Sequence, residues 1–463
     1  MARALASAGL LTIAPVRAQS APGVSIANIT GLYPVVVAKV ATPRSTSDVA
    51  RAIRAWPGKI CIGGGRYSMG GQIAITGGLH LDMRAMNQLV WLDAAAKTVR
   101  VQAGMTWRDL QEAIDRVDLA VMTMQSYSNF SIGGAVSVNA HGRYVGNGPV
   151  GYSVRALQLV LADGAVIEAS RTQRPEMFRA AIGGYGAIGA ITEVELDLAL
   201  NERIERSVIP VALEDYPAYF QESVKGDADC ILHNADLLPP LFNAPVAISW
   251  RRTNQPLTEP AKLIARNKSY GTEQNVIFTL TELPGGAAIR AKLIDPLLLK
   301  KPAVVWRNFA ASLDVAELEP RTRRMSTYAL QEYFVPPRHF MEFTREMASV
   351  IRKHEANVLN ISIRHSPPDT LALLPWAKDE VFSFVVYYKQ RIHQAAMRRA
   401  GDWTREMIAT ALKYDGRYYL PYQLHATGKQ FARSYPEASA LRALKHAIDP
   451  TGKFSNALWA EYL

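Results

Sequence analysis

The feature that most constrains this chain is a glycine-rich stretch at residues 62–72, Ile-Gly-Gly-Gly-Arg-Tyr-Ser-Met-Gly-Gly-Gln. The apolar run from Lys59 to Ile62 leads into it and predicts a strand. Because glycine has no Cβ, the backbone of such a loop can approach a ligand closely, and its N–H groups form a concavity for anionic oxygens. A tight surface turn is the alternative, although turns ordinarily need only one or two glycines. The stretch therefore favours a phosphate site, and pyrophosphate is the simplest ligand.

Two common phosphate-binding motifs do not fit this stretch. Gly65 and Gly70 have P-loop spacing, but Gly71 and Gln72 follow where Lys and Ser or Thr are required. A dinucleotide fingerprint G-x-G-x-x-G would place its third glycine at Ser68, and no helical pattern follows. The sequence therefore indicates a phosphate loop of another kind.

The length and charge of the chain limit which classes of protein and ligand remain. The chain has 463 residues, enough for two to three domains, and a net charge of +11 that favours anionic ligands or surfaces. A peripheral contact with a membrane is compatible with this charge. Basic clusters at 321–324 and 398–399 lack any zinc-finger or RNP-type signature, so nucleic-acid binding is disfavoured and solvated faces are expected.

The cysteines and the N-terminal residues bear on the cellular compartment in which the protein works. Cys61 and Cys230 allow at most one disulfide, and no Cys/His spacing suggests a metal site. Residues 1–22 combine a positive charge, an apolar run and small residues near Ala18, as a signal peptide does. Export to the periplasm and a cytoplasmic location both stay open. No later stretch reaches the ~18 apolar residues of a membrane span.

Two more glycine-rich stretches follow, at 126–142 and 183–189. The first packs small hydroxyl residues and glycines between apolar residues, as expected where backbone wraps a planar ligand. Between them, Asp163-Gly164 separates two apolar runs and predicts a β-hairpin. Earlier, Thr106 and Asp109 resemble a helix capping box, and Ser45 or Thr46 can cap a preceding helix.

The composition changes after about residue 200, where glycines become fewer and long apolar segments appear. Helices are expected at 340–354 and 392–412. Strands are expected at 304–311, 330–335, 358–364 and 381–389. This pattern predicts a second domain of strands covered by helices.

Three segments within or overlapping these stretches, 63–72, 131–142 and 186–194, resemble in their order and spacing those of the vanillyl-alcohol-oxidase (p-cresol-methylhydroxylase-type) FAD-binding family. The C-terminal run Asp-Pro-Thr-Gly-Lys-Phe-Ser-Asn at 449–456 is similar to the ending of its sugar-oxidising members, the alditol and aldonolactone oxidases and decaprenylphosphoryl-ribose oxidase. The resemblance implies an α+β fold in which a two-subdomain FAD-binding domain (23–205) carries an inserted α+β cap domain (206–412). Residues 413–463 would return to the FAD-binding domain.

The resemblance also implies which residues hold FAD. The pyrophosphate would be bound by Gly63, Gly64, Gly65, Arg66, Tyr67, Ser68 and Gln72. The path from adenine to flavin would be lined by Ser126, Ser131, Gly134, Ser137 and His141. Ile191 would offer backbone contacts at the adenine end.

The sequence departs from the family pattern at three positions. Tyr67 occupies the place of a histidine that bonds covalently to the flavin in many members, so non-covalent FAD is expected. The Glu-x-Arg pair of alditol oxidases reads Ser362-Ile363-Arg364, without the acid. Tyr422 stands where the sugar-oxidising members place a lysine.

Tyr422, Arg364 and His141 are the candidate catalytic residues. Tyr422 could donate to a substrate hydroxyl or, after deprotonation, accept from it; a core tyrosine is the alternative. Arg364 could bind a carboxylate, stabilise negative charge on reduced flavin, or form an ion pair. His141 could hydrogen-bond the flavin or simply be packed. Glu332 is the nearest acid in the cap strands, and a surface salt bridge is its expected role.

Strand alternation adds an expectation for the cap sheet. Asn360, Ser362 and Arg364 should share one face, and Ile361, Ile363 and His365 the other. In a neighbouring strand, an apolar set should belong to the core: Phe382, Phe384, Val386 and Tyr388.

The resemblance therefore predicts an FAD-dependent oxidoreductase that moves a hydride from a C–H bond of an alcohol, polyol or sugar-lactone-like small molecule to flavin N5. The reduced flavin would need an electron acceptor, oxygen or another. The first alternative is an FAD-binding protein with little or no turnover. The second is a basic lipid- or nucleic-acid-binding protein.

Overall fold

The computed structural model describes residues 23–266, 268–271, 303–319 and 322–463, so the signal-like segment lies outside the described residues. Two small sheets come first. β1 and β2 form an antiparallel pair, and β3, β5 and β4 form a parallel sheet in that order. These strands are β1 (Val24–Ile26), β2 (Val35–Val37), β3 (Lys39–Ala41), β4 (Ile60–Gly63) and β5 (Leu79–Asp82). Since β4 ends at Gly63, the predicted strand leads directly into the glycine-rich loop.

A six-stranded antiparallel sheet follows, in the order β10-β9-β11-β7-β6, with β8 paired to the end of β11. Its strands are β6 (Leu89–Asp93), β7 (Thr98–Gln102), β8 (Leu119–Val121), β9 (Val154–Val160), β10 (Val166–Ser170) and β11 (Ala190–Leu200). The predicted hairpin is confirmed, because β9 and β10 pair around the Asp163-Gly164 turn.

The second half of the chain forms an eight-stranded antiparallel sheet, in the order β15-β12-β14-β13-β17-β18-β16-β19. Its strands are β12 (Arg203–Pro210), β13 (Cys230–Leu237), β14 (Val246–Arg252), β15 (Val304–Trp306), β16 (Ser326–Val335), β17 (Val358–Ser366), β18 (Val381–Arg391) and β19 (Arg417–Tyr418). Three of them, β16, β17 and β18, contain strands expected from the sequence pattern, and β15 covers only the first part of a fourth.

Helices cover these sheets. They are α1 (Thr46–Ala55), α2 (Trp107–Ile114), α3 (Ile132–Ser137), α4 (Pro175–Ala181), α5 (Tyr216–Phe220), α6 (Arg307–Ala311), α7 (Phe340–Lys353), α8 (Gln394–Lys413), α9 (Gly428–Ser434), α10 (Ala438–Ile448) and α11 (Ala457–Tyr462). The capping box of α2 is present as predicted, and Ser45 caps α1. The chain thus has the α+β composition that its pattern indicates.

One predicted strand is wrong in its second half. The run from Val304 to Ala311 is a strand only as far as Trp306, where α6 begins. The buried guanidinium of Arg307 donates from Nη2 to two carbonyl oxygens at the end of β8, at 3.1 and 3.0 Å. A short apolar run does not distinguish a strand from a buried helix, and this tertiary contact places the helix.

The two faces of the large sheet differ in what they contact. On one face, Phe382, Phe384, Val386 and Tyr388 are buried, which confirms their predicted core role. The face carrying Phe382 packs against α7 through Phe340, whose ring lies 5.2 Å from that of Phe382. The opposite face carries Asn360, Ser362 and Arg364 and borders a cavity.

The C-terminal residues return to the sheet that precedes the glycine-rich loop. Ile60 N donates to Lys453 O at 2.7 Å, and Ser455 N donates to Ile60 O at 2.9 Å. Phe454 is fully buried beside α1 and the parallel strands. Among the described residues, no helix combines the length and apolar character needed to cross a bilayer.

Candidate functional site

The glycine-rich loop, the 126–141 stretch and the large sheet together border a cavity of about 390 Å³, hereafter the main cavity. Predicted residues that line it are Gly64, Gly65, Arg66, Tyr67, Ser68, Ser126, Ser131, Gly134, His141, Arg364 and Tyr422. A second cavity of about 70 Å³ shares walls with the first and is also lined by Gln72, Ser137 and Ile191. The fold therefore brings predicted cofactor residues and predicted catalytic residues to adjoining cavities.

Gly63 is the predicted cofactor residue that lines neither cavity. A Cβ at this position would lie 2.3 Å from Cε1 of His80, so glycine is required there by the protein itself. His80 Nδ1 donates to Ile73 O at 3.0 Å, and its Nε2 lies 3.4 Å from Nη2 of Arg66. Burial, and then the charge of Arg66, lowers the pKa of His80 to about 4. A neutral histidine therefore supports the underside of the loop.

Ser131 is where the glycine-rich loop meets α3. Its Oγ accepts a hydrogen bond from Gly65 N at 3.1 Å. A Cβ would lie 2.1 Å from this Oγ if placed on Gly64 and 2.8 Å from it if placed on Gly134. Both positions must therefore be glycine for the two segments to pack at this distance, and their backbones form one wall shared by the two cavities.

Tyr67 packs its ring against Phe130, with ring centroids 4.4 Å apart. Burial, followed by the charges of Glu319 and Asp314, raises the pKa of Tyr67 to about 12. The Tyr67 side chain is thus a protonated phenol. The neighbouring Arg66 has a left-handed backbone (φ 64°) and donates from Nη2 to Asp82 Oδ2 at 3.0 Å.

Gln72 is bonded differently from what its predicted cofactor role implies. Its Oε1 accepts from Gly70 N at 2.8 Å, and its Nε2 donates to the carbonyl oxygens of Leu420 and Tyr422 at 2.7 and 2.8 Å. Both amide protons are therefore used within the protein. Gln72 ties the glycine-rich loop to the segment that carries Tyr422.

The structure overturns the surface role expected for Glu332. This carboxylate is 2% exposed and lines the main cavity. Its Oε1 lies 2.5 Å from Nε2 of His141, and its Oε2 accepts from the Tyr422 hydroxyl at 3.1 Å. The sequence pattern placed Glu332 on a strand. It did not show that this side of the sheet is enclosed, because the enclosure depends on how other segments pack over it.

The charges around this carboxylate decide its protonation. Burial alone raises the pKa of Glu332, but His141, Arg364 and Tyr422 together outweigh burial and hold the pKa below its usual range. Burial and the charge of Glu332 raise the pKa of Tyr422 well above its ordinary value, and Arg364 offsets only part of this. The pair is thus an ionised carboxylate and a protonated phenol, so Tyr422 is a hydrogen-bond donor to Glu332.

The strand register places Glu332 in the same row of the sheet as Ser362. Ser362 of β17 is opposite Val385 of β18, which is in turn opposite Glu332 of β16. These three residues form a row across the sheet, on the face that borders the main cavity. A buried acid therefore lies two strands away from position 362 in the same row.

Several cavity residues were missed by sequence reasoning. Arg143, Asn234, Asp236 and Tyr127 all line the main cavity. Arg143 and Tyr127 lie within or directly after the second glycine-rich stretch, and that position was a usable signal. Asn234 and Asp236 alternate along β13, a strand that the sequence pattern did not predict.

The main cavity carries polar atoms that lack partners within the described part of the chain. They are Arg66 Nε, Ser126 Oγ, His141 Nδ1, Asn360 Oδ1 and Arg364 Nε. Buried polar groups are nearly always hydrogen-bonded, so these atoms fit a polar ligand that supplies their partners. Together with the backbone wall at Gly64 and Ser131, they fit the FAD that the sequence resemblance implies.

Two protein-family profiles match the chain. Residues 37–170 match the family described as FAD binding domain, and residues 321–463 match the family described as D-arabinono-1,4-lactone oxidase. The first range contains the glycine-rich loop and His141, and the second contains Glu332, Arg364 and Tyr422. The predicted cofactor and catalytic residues that line the main cavity therefore lie in matched regions, whereas Asn234 and Asp236 lie outside both.

Relatives with described activities align along most of the chain. An L-gulonolactone oxidase from Bos taurus is 24% identical over 405 residues, which covers 86% of this chain and 87% of the relative. A decaprenylphosphoryl-beta-D-ribose oxidase from Mycolicibacterium smegmatis is 24% identical over 446 residues, covering 90% and 93%. An alditol oxidase from Streptomyces sp. is 30% identical over 176 residues, covering 38% and 42%.

Proposed function

We propose that the chain is one of the FAD-dependent oxidoreductases that act on sugar lactones, alditols and related CH–OH donors, and that it oxidises such a group in the main cavity. The matches confirm the predicted cofactor and enzyme class. The substrate proposed here is an alcohol, polyol or sugar-lactone-like molecule. One observation carries the proposal: most of the predicted FAD residues line the same cavity as the bonded pair Glu332–Tyr422.

FAD supplies the hydride acceptor when it is bound, and the protein supplies orientation and charge. We propose that the pyrophosphate is held by the backbone between Gly64 and Ser68, and that Ser126 and His141 contact the cofactor with their unpartnered polar atoms. FAD is bound without a covalent link, because a buried phenol at Tyr67 replaces the histidine that forms that link in many family members.

Proton removal from the substrate hydroxyl is assigned to Tyr422 and Glu332. The Tyr422 oxygen accepts the substrate proton while its own proton passes to Glu332 Oε2, at 3.1 Å. The substrate O–H bond breaks, a new O–H bond forms on Tyr422, and the carboxylate becomes a carboxylic acid. Tyr422 stays protonated throughout, which agrees with its raised pKa.

His141 and Arg364 prepare Glu332 for this step. His141 Nε2 donates to Oε1 and so fixes the orientation of the carboxylate. Arg364 contributes positive charge that lowers the pKa of Glu332. Without these two groups, burial would favour the protonated acid, which cannot accept a proton.

The test is anaerobic bleaching of the flavin. Purified holoenzyme is mixed with alcohols, polyols and aldonolactones without oxygen, and flavin absorbance is followed. Bleaching by a CH–OH donor supports the proposal. A protein that binds FAD but is bleached by no member of the panel is the alternative, an FAD-binding protein with little or no turnover.

The same preparation tests the finer parts of the proposal. Reoxidation of the bleached enzyme by air, compared with an artificial acceptor, tells an oxidase from a dehydrogenase. N-terminal sequencing of the exported protein tests cleavage within residues 1–22, and sedimentation with anionic vesicles tests peripheral membrane contact. Limited proteolysis tests the proposed division at about residues 205 and 412.

A further inference from the structure

We propose that Arg364 and Arg143 form a subsite for an anionic group of the substrate, either a carboxylate or a phosphate. The inference rests on the proposed function and narrows the substrate class to a polyol or sugar derivative that carries negative charge. Both arginines line the main cavity, on the same side of the large sheet as Glu332. Carboxylate and phosphate are the groups that match the fork of a guanidinium.

The fold places the two arginines along the same edge of β13. β17 pairs with β13 at Ala235–Leu237, where Ala235 is opposite Ile363, the residue before Arg364. Earlier along β13, the segment that follows the second glycine-rich stretch is bonded to the same edge of the strand. There, Arg143 O accepts a hydrogen bond from His233 N at 2.7 Å. The two side chains therefore reach the cavity from adjacent positions.

Arg364 makes no hydrogen bond or ion pair with any residue in the described parts of the chain, and its Nε is buried without a partner. Arg143 Nη2 donates to Ala310 O at 2.8 Å, a neutral acceptor. Neither guanidinium is bonded to a carboxylate, although the charge of Glu332 acts on Arg364 and that of Asp236 acts on Arg143. The desolvation of such an enclosed guanidinium is then only partly compensated. An anionic ligand group would supply that compensation.

Other charges at the cavity are engaged elsewhere. Arg66 is paired with Asp82, and Glu332 is bonded to His141. Arg323 is bonded to Thr327 and is influenced by Glu319.

Asp236 lies on the same face as the two arginines. It accepts from Asn234 Nδ2 at 3.2 Å, and its charge acts on both Arg206 and Arg143. The charge of Asp236 is therefore shared between Arg206 and Arg143. The mutual repulsion of Arg143 and Arg364 adds to burial in lowering the pKa of Arg143.

The test compares three ligands that share one carbon chain: sorbitol, gluconate and sorbitol phosphate. Their dissociation constants for the oxidised holoenzyme are measured anaerobically by calorimetry. We expect at least one anionic ligand to bind about tenfold more tightly than sorbitol, since hydrogen bonds between ionised groups are stronger than those between neutral groups. Gluconate and sorbitol phosphate tell a carboxylate site from a phosphate site.

Variants show whether these residues cause the preference for an anionic ligand over sorbitol. Arg364→Met should abolish that preference, and Arg364→Lys should keep part of it. Arg398→Met removes the same charge at an exposed position and should leave the preference unchanged. Equal binding of the three ligands by the wild type, or a preference that survives both Arg364→Met and Arg143→Met, would overturn the subsite. If neutral polyols reduce the flavin but no anionic ligand is preferred, the proposed function stands and the subsite is rejected. If anions bind through Arg364 but no CH–OH donor reduces the flavin, the subsite stands and the proposed function is rejected.

Discussion

The Nε2 atom of His141 lies 2.5 Å from Oε1 of Glu332, and both side chains are buried although they are 191 positions apart in the chain. The contact joins the end of the second glycine-rich stretch to the middle of β16. It orients a carboxylate whose other oxygen accepts from Tyr422. The chemistry of the main cavity therefore depends on two parts of the chain that meet only in the folded protein.

Tyr422→Phe should slow anaerobic flavin reduction by about 10²–10⁴-fold, because it removes the hydroxyl that passes the proton to Glu332. The measurement is the rapid-mixing reduction rate with whichever substrate bleaches the wild type. Tyr435→Phe is the matched control, since its buried hydroxyl donates to Tyr418 O. It should lower stability while leaving the reduction rate nearly unchanged. A wild-type rate in Tyr422→Phe would remove Tyr422 from the mechanism.

Glu332→Gln should abolish the same proton transfer while preserving side-chain size. In the wild type, the pKa of Glu332 in the fold lies below its usual range, so both its stabilising contribution and the reduction rate persist until the pH falls through that lowered value. The pH profile of flavin reduction should therefore show an acid limb that lies below the usual pKa range of a glutamate. The Gln variant should have a low rate without this limb, and a near-normal rate would contradict the assignment.

FAD should be released by acid precipitation of the protein, because Tyr67 replaces the histidine of the covalent link. We expect a yellow supernatant and a colourless pellet. Tyr67→Phe should give the same partition, since the hydroxyl forms no bond to the flavin. Yellow colour retained in the wild-type pellet would mean that another side chain is attached to the cofactor.

Gly64→Val should abolish FAD binding. The added Cβ would lie 2.1 Å from Ser131 Oγ and force the loop away from α3. Backbone strain at such a site costs ~1–3 kcal/mol. Gly428→Val is the control, because a Cβ there has no neighbour within 4 Å. Flavin content per protein is the readout, and full content in Gly64→Val would place the phosphate site elsewhere.

Acid should loosen the glycine-rich loop through His80. Its pKa is about 4 in the fold, against about 6.5 when unfolded, so its contribution to stability is complete above about pH 6.5 and is lost as the pH falls towards 4. The full shift corresponds to about 3 kcal/mol. The free energy of unfolding is measured by denaturant titration at about pH 6.5 and at about pH 4. The decrease between these two pH values should be smaller in His80→Gln than in the wild type. Equal pH dependence would exclude His80.

Much of the cofactor site was readable from the sequence, because phosphate binding by backbone leaves a local mark. Glycines at positions 64, 65 and 134 are needed wherever backbone must approach Ser131 or a ligand without side chains between them. Strand alternation likewise placed Arg364 on the polar face and Phe382 on the core face. Both signals depend on neighbours in sequence, so they survive without tertiary information.

The tertiary structure decided the roles of Glu332, Gln72 and Arg364. Alternation assigns a side chain to a face, but whether that face meets water or a cavity depends on distant segments. Glu332 became buried because the segments carrying His141 and Tyr422 cover its face, and Gln72 was claimed by carbonyls near position 421. Arg364 Nε has no hydrogen-bond partner among the described residues, which again depends on how distant segments pack over its face. The sequence by itself thus determined the cofactor class and the fold class, whereas long-range packing set the protonation and pairing of the groups that line the main cavity.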